Sequence, residues 1–283
     1  MPIFSFGLLA DLHYSDIEPL KDRYFRDSIK KFDHCVETMN NHSLEFVVDL
    51  GDLIDQDYSN FDVLLPHFRK FNSKVHFTVG NHDFEVEERL KNQVRSKIGY
   101  EDKAYYSFSI KHIRFVVLDG NTISTYANMP GTNNYIKAER LLQHLQQTKM
   151  DNAHFWNGAI DEEQLEWFEL NLQEAKHKLE KVIVFCHFPV YPTNKHNLGN
   201  DSDLLNVIGK HDHIIAWISG HNHSGNYGYN TGIHFVGLKG MVETLDKPAY
   251  CIIDVYDDRL ELKGFGREPS RTLPVHEAVP LGG

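Results

Sequence analysis

Short apolar runs alternate along this chain with stretches in which apolar residues recur every three or four positions. Ile3 to Ala10 reads as a buried strand, and it ends at Asp11-Leu12-His13. Phe25, Ile29, Phe32, Val36 and Met39 then mark one face of a helix from about Asp22 to Asn40. The unit repeats. Phe46 to Leu50 is a strand ending in Gly51-Asp52, Phe61, Leu64, Leu65 and Phe68 mark a helix, and Val75 to Val79 is a strand ending in Gly80-Asn81-His82-Asp83. Alternation of this kind favours parallel strand pairs joined by right-handed crossovers, with ligands bound beyond the carboxyl ends of the strands.

Tyr105 to Ile110 and Ile113 to Asp119 flank Lys111-His112 and read as a hairpin, which brings antiparallel pairing into the sheet. From Gly120 to about Asn157 the apolar pattern weakens around Met129-Pro130-Gly131. This is expected to be an inserted loop region with a short helix over Ala138 to Gln147, and long loops of this kind are often functional. Asp161 is a good N-cap for a helix with Leu165, Phe168 and Leu172 inward, and Gln164 suggests a capping box. Val182 to Cys186 is a strand ending at His187. Leu204, Leu205 and Ile208 mark a short helix, and Ile214 to Ser219 is a strand ending in Gly220-His221-Asn222-His223. The remaining strands, Ile233 to Val236, Tyr250 to Val255 and Leu260 to Lys263, are expected to complete a second sheet.

The length of 283 residues suits one large α/β domain spanning 1–283. No apolar run approaches the roughly 20 residues of a membrane span, and Met1-Pro2 leads into a strand without a basic leader, so neither export nor anchoring is expected. Cys35, Cys186 and Cys251 lie in apolar patterns rather than paired spacings, which fits a reducing cytoplasm. A formal net charge of -11 argues against nucleic acid as a partner and for a small substrate. Oligomeric state is not legible.

The 18 histidines gain meaning only from their positions. Five clusters each follow an apolar strand: Asp11-Leu12-His13, Gly51-Asp52-Leu53-Ile54-Asp55, Gly80-Asn81-His82-Asp83, His187 and Gly220-His221-Asn222-His223. Alternate residues leaving a strand end can aim two donors at one point, and carboxylates, imidazoles and an Asn oxygen together suit borderline divalent metals. The expected arrangement has Asp11, His13 and His223 on one ion, Asn81, His187 and His221 on a second, and Asp52 bridging them. Iron, zinc and manganese all fit these donors.

This ordered set resembles the calcineurin-like metallophosphoesterase superfamily, from Asp11 to His223. The resemblance implies an α/β fold of two mixed β-sheets packed as a sandwich flanked by helices, a site for two divalent ions, and hydrolysis of a phosphate ester or anhydride. In the purple acid phosphatase branch a tyrosine ligand stands three residues after the second Asp. Here that position is Asp55, which argues against a tyrosinate-iron site.

Two cations about 3.5–4 Å apart lower the pKa of a bridging water from about 15.7 towards neutrality and clamp the attacking and leaving oxygens. Attack of the bridging hydroxide on phosphorus is therefore expected. His82, beside Asn81, is expected to face the substrate and to protonate the leaving oxygen or stabilise transition-state charge, with Asp55 and Asp83 bracing rather than ligating.

A finer resemblance lies in Arg23-Tyr24-Phe25-Arg26-Asp27-Ser28, Asn157-Gly158-Ala159-Ile160-Asp161, His187-Phe188-Pro189-Val190-Tyr191-Pro192 and Gly240-Met241-Val242-Glu243-Thr244. These segments look like the manganese-dependent ADP-ribose/CDP-alcohol diphosphatases. That family implies manganese and cleavage of a nucleoside diphosphate-X to a nucleoside monophosphate and a second phosphorylated product. It often has Gln at the position of His13, and longer loops after Asp11 and Tyr191. Lys21, Arg23 and Arg26 supply local positive charge, and Tyr14, Phe84, Phe188 and Tyr191 adjoin the metal motifs where a base or ribose could stack. Arg23, Arg26, Phe188 and Tyr191 are thus candidate substrate contacts. The competing readings are a phosphodiesterase or phosphomonoesterase of the same superfamily and a noncatalytic metal-bound scaffold.

Overall fold

The computed structural model describes residues 1–101 and 103–275; the end of the expected 1–283 domain lies outside the described residues. Along the chain run β1 (Phe4–Leu9), α1 (Ser28–Asn40), β2 (Phe46–Asp49), α2 (Asn60–Phe68), β3 (Lys74–Phe77), α3 (Val94–Lys97), β4 (Tyr106–Ile110), β5 (Ile113–Leu118), α4 (Asn133–Gln147) and α5 (Glu162–His177). They are followed by β6 (Lys181–Cys186), α6 (Asp201–Ile208), β7 (Ile214–Ser219), β8 (Ser224–Asn230), β9 (Ile233–Lys239), β10 (Ala249–Val255), β11 (Arg259–Gly266) and β12 (Arg271–Pro274). The strands form two mixed six-stranded sheets, in the orders β12-β11-β10-β1-β2-β3 and β4-β5-β6-β7-β9-β8. In the first sheet the parallel strands β1-β2-β3 run out to one edge, with antiparallel β10, β11 and β12 beyond β1; in the second the parallel strands β5-β6-β7-β9 form the centre, with antiparallel β4 and β8 outside them.

The central strands read as unbroken apolar runs because both of their faces are covered. Phe6, Phe46, Phe115 and Phe185 meet between the sheets, Phe6 stacking on Phe46 at 4.9 Å. On the outer faces Leu9 and Val47 pack with Phe32 and Met39 of α1, while Val116 and Val184 pack with Phe168 and Leu172 of α5. Gly7 in β1 lets α1 approach, since a Cβ there would lie 2.6 Å from Met39 Sδ. Among the described residues no helix is long and apolar enough to cross a membrane.

Four expectations need correction. The first helix starts at Ser28, not near Asp22, because the preceding backbone is used elsewhere: Leu20 and Arg23 bond each other reciprocally and Tyr24 N–H donates to Val242 O. The helix inside the insert begins at Asn133, capped by Thr132; its mostly exposed surface, with only Ala138 and Leu145 buried, hid its first turns. Asp161 does accept from Gln164 N–H at 2.9 Å, but the Gln164 side chain bonds the backbone of Asp119 instead of closing a capping box, and so ties α5 to the end of β5. The C-terminal strands divide: β9 completes the second sheet, while β10, β11 and β12 extend the first, with β10 antiparallel to β1 from Phe4↔Val255 to Leu9↔Tyr250.

His76 on β3 gives the fold a pH dependence. Its Nδ1 meets the Tyr106 hydroxyl at 2.8 Å, its ring stacks on Phe108 at 4.1 Å, and burial, helped by Lys74, pushes its pKa down to about 4. Below its ordinary pKa of 6.5 the unfolded chain takes up a proton that the folded chain refuses, so stability falls as pH drops from 6.5 towards 4. In denaturant titrations across that window, His76→Phe is expected to flatten the slope by up to about 1.4 kcal/mol per pH unit; an unchanged slope would rule His76 out as the source.

Candidate metal centre

The carboxyl ends of β1, β2, β3, β6 and β7 converge where the two sheets meet, and each delivers its cluster there. Asp11, His13, Asp52 and His221 all take left-handed backbone conformations, with φ of 56°, 45°, 58° and 63°. For residues with a Cβ this costs about 1–3 kcal/mol each, and such strain persists only where the surroundings enforce it. The enforcement is visible. Asp11 N–H donates to Gly51 O, His13 N–H to Asp52 O and His221 N–H to Asp11 Oδ1. The buried Asp83 carboxylate accepts from the N–H groups of Asp52, Leu53, Ile54 and Gly80, lacing the second and third clusters together. Gly80 admits no side chain, because a Cβ would fall 2.1 Å from Asp52 Oδ1.

Two groups of side chains share Asp52, namely Asp11, His13, Asp52, His223 and Asp52, His187, His221, and a third joins His13 to Asp55 and His82; within each the donor atoms lie within 4.8 Å of one another. Asp52 Oδ2 lies 3.3 Å from His13 Nε2 and 3.2 Å from His187 Nε2. His223 Nε2 is 3.5 Å from Asp11 Oδ1 and 3.1 Å from His13 Nε2, and Asn81 Oδ1 is 3.3 Å from His187 Nε2. All seven residues are buried.

The far ring nitrogens fix what the near ones can do. His187 Nδ1 lies 2.7 Å from Leu50 O, which can only accept, so Nδ1 carries a hydrogen and Nε2, facing Asp52 and Asn81, is the ring atom available to ligate an ion. His13 Nδ1 faces Asp55 Oδ2 at 3.3 Å and orients its ring the same way. Asp11 Oδ2 and Asp52 Oδ2 are buried without a hydrogen-bond partner. Lone pairs and carboxylates crowded together, with orphaned oxygens on a strained backbone, fit divalent cations and little else. In the protein alone, burial opposes the charge on Asp52, but His187, His82 and His13 outweigh it and hold the carboxyl well below its usual range. Burial likewise opposes protonation of His187, yet Asp52 lifts its pKa to about 9.

The profile of the calcineurin-like phosphoesterases matches residues 4–225. The chain is 33% identical over 299 residues to the manganese-dependent ADP-ribose/CDP-alcohol diphosphatase of Arabidopsis thaliana, covering 95% of this chain and 96% of that one. Its identity to the Homo sapiens protein of the same name is 27% over 316 residues, covering 96% and 92%. The crystal structure of a dimetal phosphatase from Danio rerio superposes with a TM-score of 0.87 at 28% identity, covering 98% of this chain and 100% of that one. The chain belongs to the calcineurin-like phosphoesterase family. It is a metal-dependent hydrolase of phosphoric esters or anhydrides.

Beside the phosphoesterase cluster, His82 N–H donates to Asp52 Oδ1 at 2.8 Å, and the His82 Nδ1 atom lies 3.3 Å from Asp55 Oδ2 and 3.2 Å from Glu85 Oε2. Burial opposes its charge, but Asp52, Asp55 and Glu85 prevail and raise its pKa well above the ordinary value. Its side chain is 18% exposed and lines a cleft of about 660 Å³ with Asp52, Asn81, Arg23, Phe155 and Trp156. A second lobe, of about 800 Å³, is walled by Leu20, Lys21, Asp22 and Glu243. Arg23, His196, His221 and His223 border both lobes.

Of the candidate substrate contacts only Arg23 lines this cleft. Arg26 pairs with Asp16 and Glu18 on the surface. Phe188 is fully buried and turns its edge to His187 and His221, so no base can reach it. Tyr191 packs on Phe235 and against Gly228, outside both lobes. Tyr14 and Phe84 belong to the core beneath α1 and α2. The aromatic wall comes instead from Phe155, 63% exposed, and Trp156, whose ring stacks on His154 at 4.1 Å. Both sit at the end of the insert, where aromatic residues in a segment without periodicity were the available signal. His196, Glu85 and Asn157 were also missed, because each reaches the site through a loop whose path no local pattern specifies.

Proposed function

We propose that this phosphoesterase cleaves the phosphoanhydride of nucleoside diphosphate-X compounds, of the ADP-ribose and CDP-alcohol type, to a nucleoside monophosphate and a phosphorylated X. The observation that carries this reading is the two-lobed cleft: a phosphomonoester needs room on one side of the reacting phosphorus, whereas a diphosphate substituted at both ends needs room on two. The lobe with Phe155 and Trp156 suits a base, which stacks on aromatic faces. The lobe with Leu20 and Lys21 suits the distal group.

In this reading Asp11, His13 and His223 hold one ion, Asn81, His187 and His221 the other, and Asp52 both. Manganese is supported by the similarity to manganese-dependent diphosphatases. A bound pair of divalent ions supplies a water of lowered pKa and neutralises phosphoryl charge. The chain's own residues do the rest. Arg23, between the lobes, offers a guanidinium to the second phosphate, and His82, steadied by Asp55 and Glu85, offers a proton or hydrogen bond to the leaving oxygen. We also read 1–283 as one domain, supported by the core that the two sheets share, and a reducing cytoplasm as its location, supported by three buried, unpaired cysteines.

Trp156→Ala tests the base lobe. Loss of one stacked base costs about 1–3 kcal/mol, so KM for ADP-ribose and CDP-choline should rise roughly 5- to 150-fold, while hydrolysis of bis-p-nitrophenyl phosphate, which has no base, stays within twofold. Equal losses on all three would refute stacking at Trp156.

A further inference from the structure

We propose that Asn157 is a positioning residue for the metal centre: its side-chain oxygen holds His221 in the tautomer that leaves Nδ1 free to ligate an ion, joining the aromatic wall of the cleft to one of the two proposed metal sites. The inference rests on the two-ion reading above and deepens it.

The amide orientation of Asn157 follows from its own partners. Its Nδ2 donates to Asn152 O at 2.9 Å and to Lys195 O at 2.8 Å, and both are carbonyls that can only accept. Oδ1 is therefore the atom left to face His221 Nε2, 3.0 Å away, and an amide oxygen can only accept, so Nε2 carries the hydrogen. Nδ1 then keeps its lone pair, and His221 groups with Asp52 and His187. Packing holds the ring in place: the centroids of Phe188, His187 and His196 lie 4.6, 5.0 and 5.2 Å from that of His221. His13 and His187 meet the cluster through Nε2, each with its Nδ1 on an acceptor of the central scaffold. His221 is reversed, and its acceptor comes from the insert, directly after Phe155 and Trp156.

Partners of this kind fix ring orientation and raise ligand basicity, and losing one typically weakens a metal site 10- to 100-fold. The test is titration of metal-stripped protein with Mn²⁺ alone, with free ion read by electron paramagnetic resonance. Wild type is expected to take up two ions. Asn157→Ala should weaken one of them about 10- to 100-fold and leave the other unchanged. Asn157→Asp separates positioning from bracing: it keeps an acceptor for His221 but loses both donors to Asn152 O and Lys195 O, so the weakened site should recover. Trp156→Ala, in the same loop, should bind both ions as wild type does. Two wild-type affinities in Asn157→Ala overturn the proposal, and so does a loss in Asn157→Asp as large as in Asn157→Ala, which marks a loop brace. If Asn157→Ala does not fold, Asn157→Ser, too short to reach the ring, takes its place in the comparison. A wild type that binds fewer than two ions would instead overturn the two-ion reading itself.

Discussion

Asp52→Asn is expected to lower kcat/KM at least about a thousandfold and to drop manganese content below two ions per chain. Asp52 is the one carboxylate common to both donor groups, with Oδ2 within 3.3 Å of His13 Nε2 and His187 Nε2. Asparagine keeps the size, and its oxygen can still accept from His82 N–H, as Oδ1 does at 2.8 Å. What it removes is the negative charge that two cations would share, and it turns an NH₂ group towards imidazole lone pairs. Charge stabilisation at such sites is worth several kcal/mol, and each 1.4 kcal/mol is a factor of ten. Steady-state kinetics at saturating Mn²⁺ with parallel metal analysis measures both effects; kcat/KM within tenfold of wild type would show that Asp52 does not bridge.

His82→Ala should leave metal content at two ions and reduce kcat on ADP-ribose by about 10²–10⁴, the usual contribution of a positioned acid or base. The His82 ring lines the cleft and is held by Asp55 and Glu85, and it is not among the seven residues proposed to hold the ions, so its removal strips a donor and leaves that set intact. The loss depends on the leaving group. Phosphate monoester oxygen benefits from a proton as it departs, whereas p-nitrophenolate needs little help, so bis-p-nitrophenyl phosphate should lose much less. Equal losses on the two substrates would assign His82 to charge stabilisation alone.

The centre was legible because each of its residues stands within four positions of the end of an apolar strand, and parallel strands in an α/β fold end on the same edge. No long-range information was needed to bring Asp11, Asp52 and Asn81 together. The aromatic wall of the cleft was not legible in this way. Phe188 follows His187 directly, and successive side chains near a strand point to opposite faces. With His187 aimed at the centre, Phe188 enters the core under α5, a burial that the alternation along the strand end itself implies. Phe155 and Trp156 required the path of a 38-residue insert from Gly120 to Asn157, set by distant contacts such as Asn152 Nδ2 to Leu198 O and Gly199 N–H to Gly158 O. The placement of β10 beside β1 had the same cause: a strand's own pattern does not name its neighbour.

The central claim, that two ions and this cleft cleave a diphosphate joined at both ends, is tested most directly by incubating metal-stripped protein with ADP-ribose or CDP-choline and following AMP or CMP as Mn²⁺ is restored. The account predicts manganese-dependent release of the monophosphate together with ribose 5-phosphate or phosphocholine. No release from either compound, alongside brisk hydrolysis of bis-p-nitrophenyl phosphate by the same preparation, would contradict it.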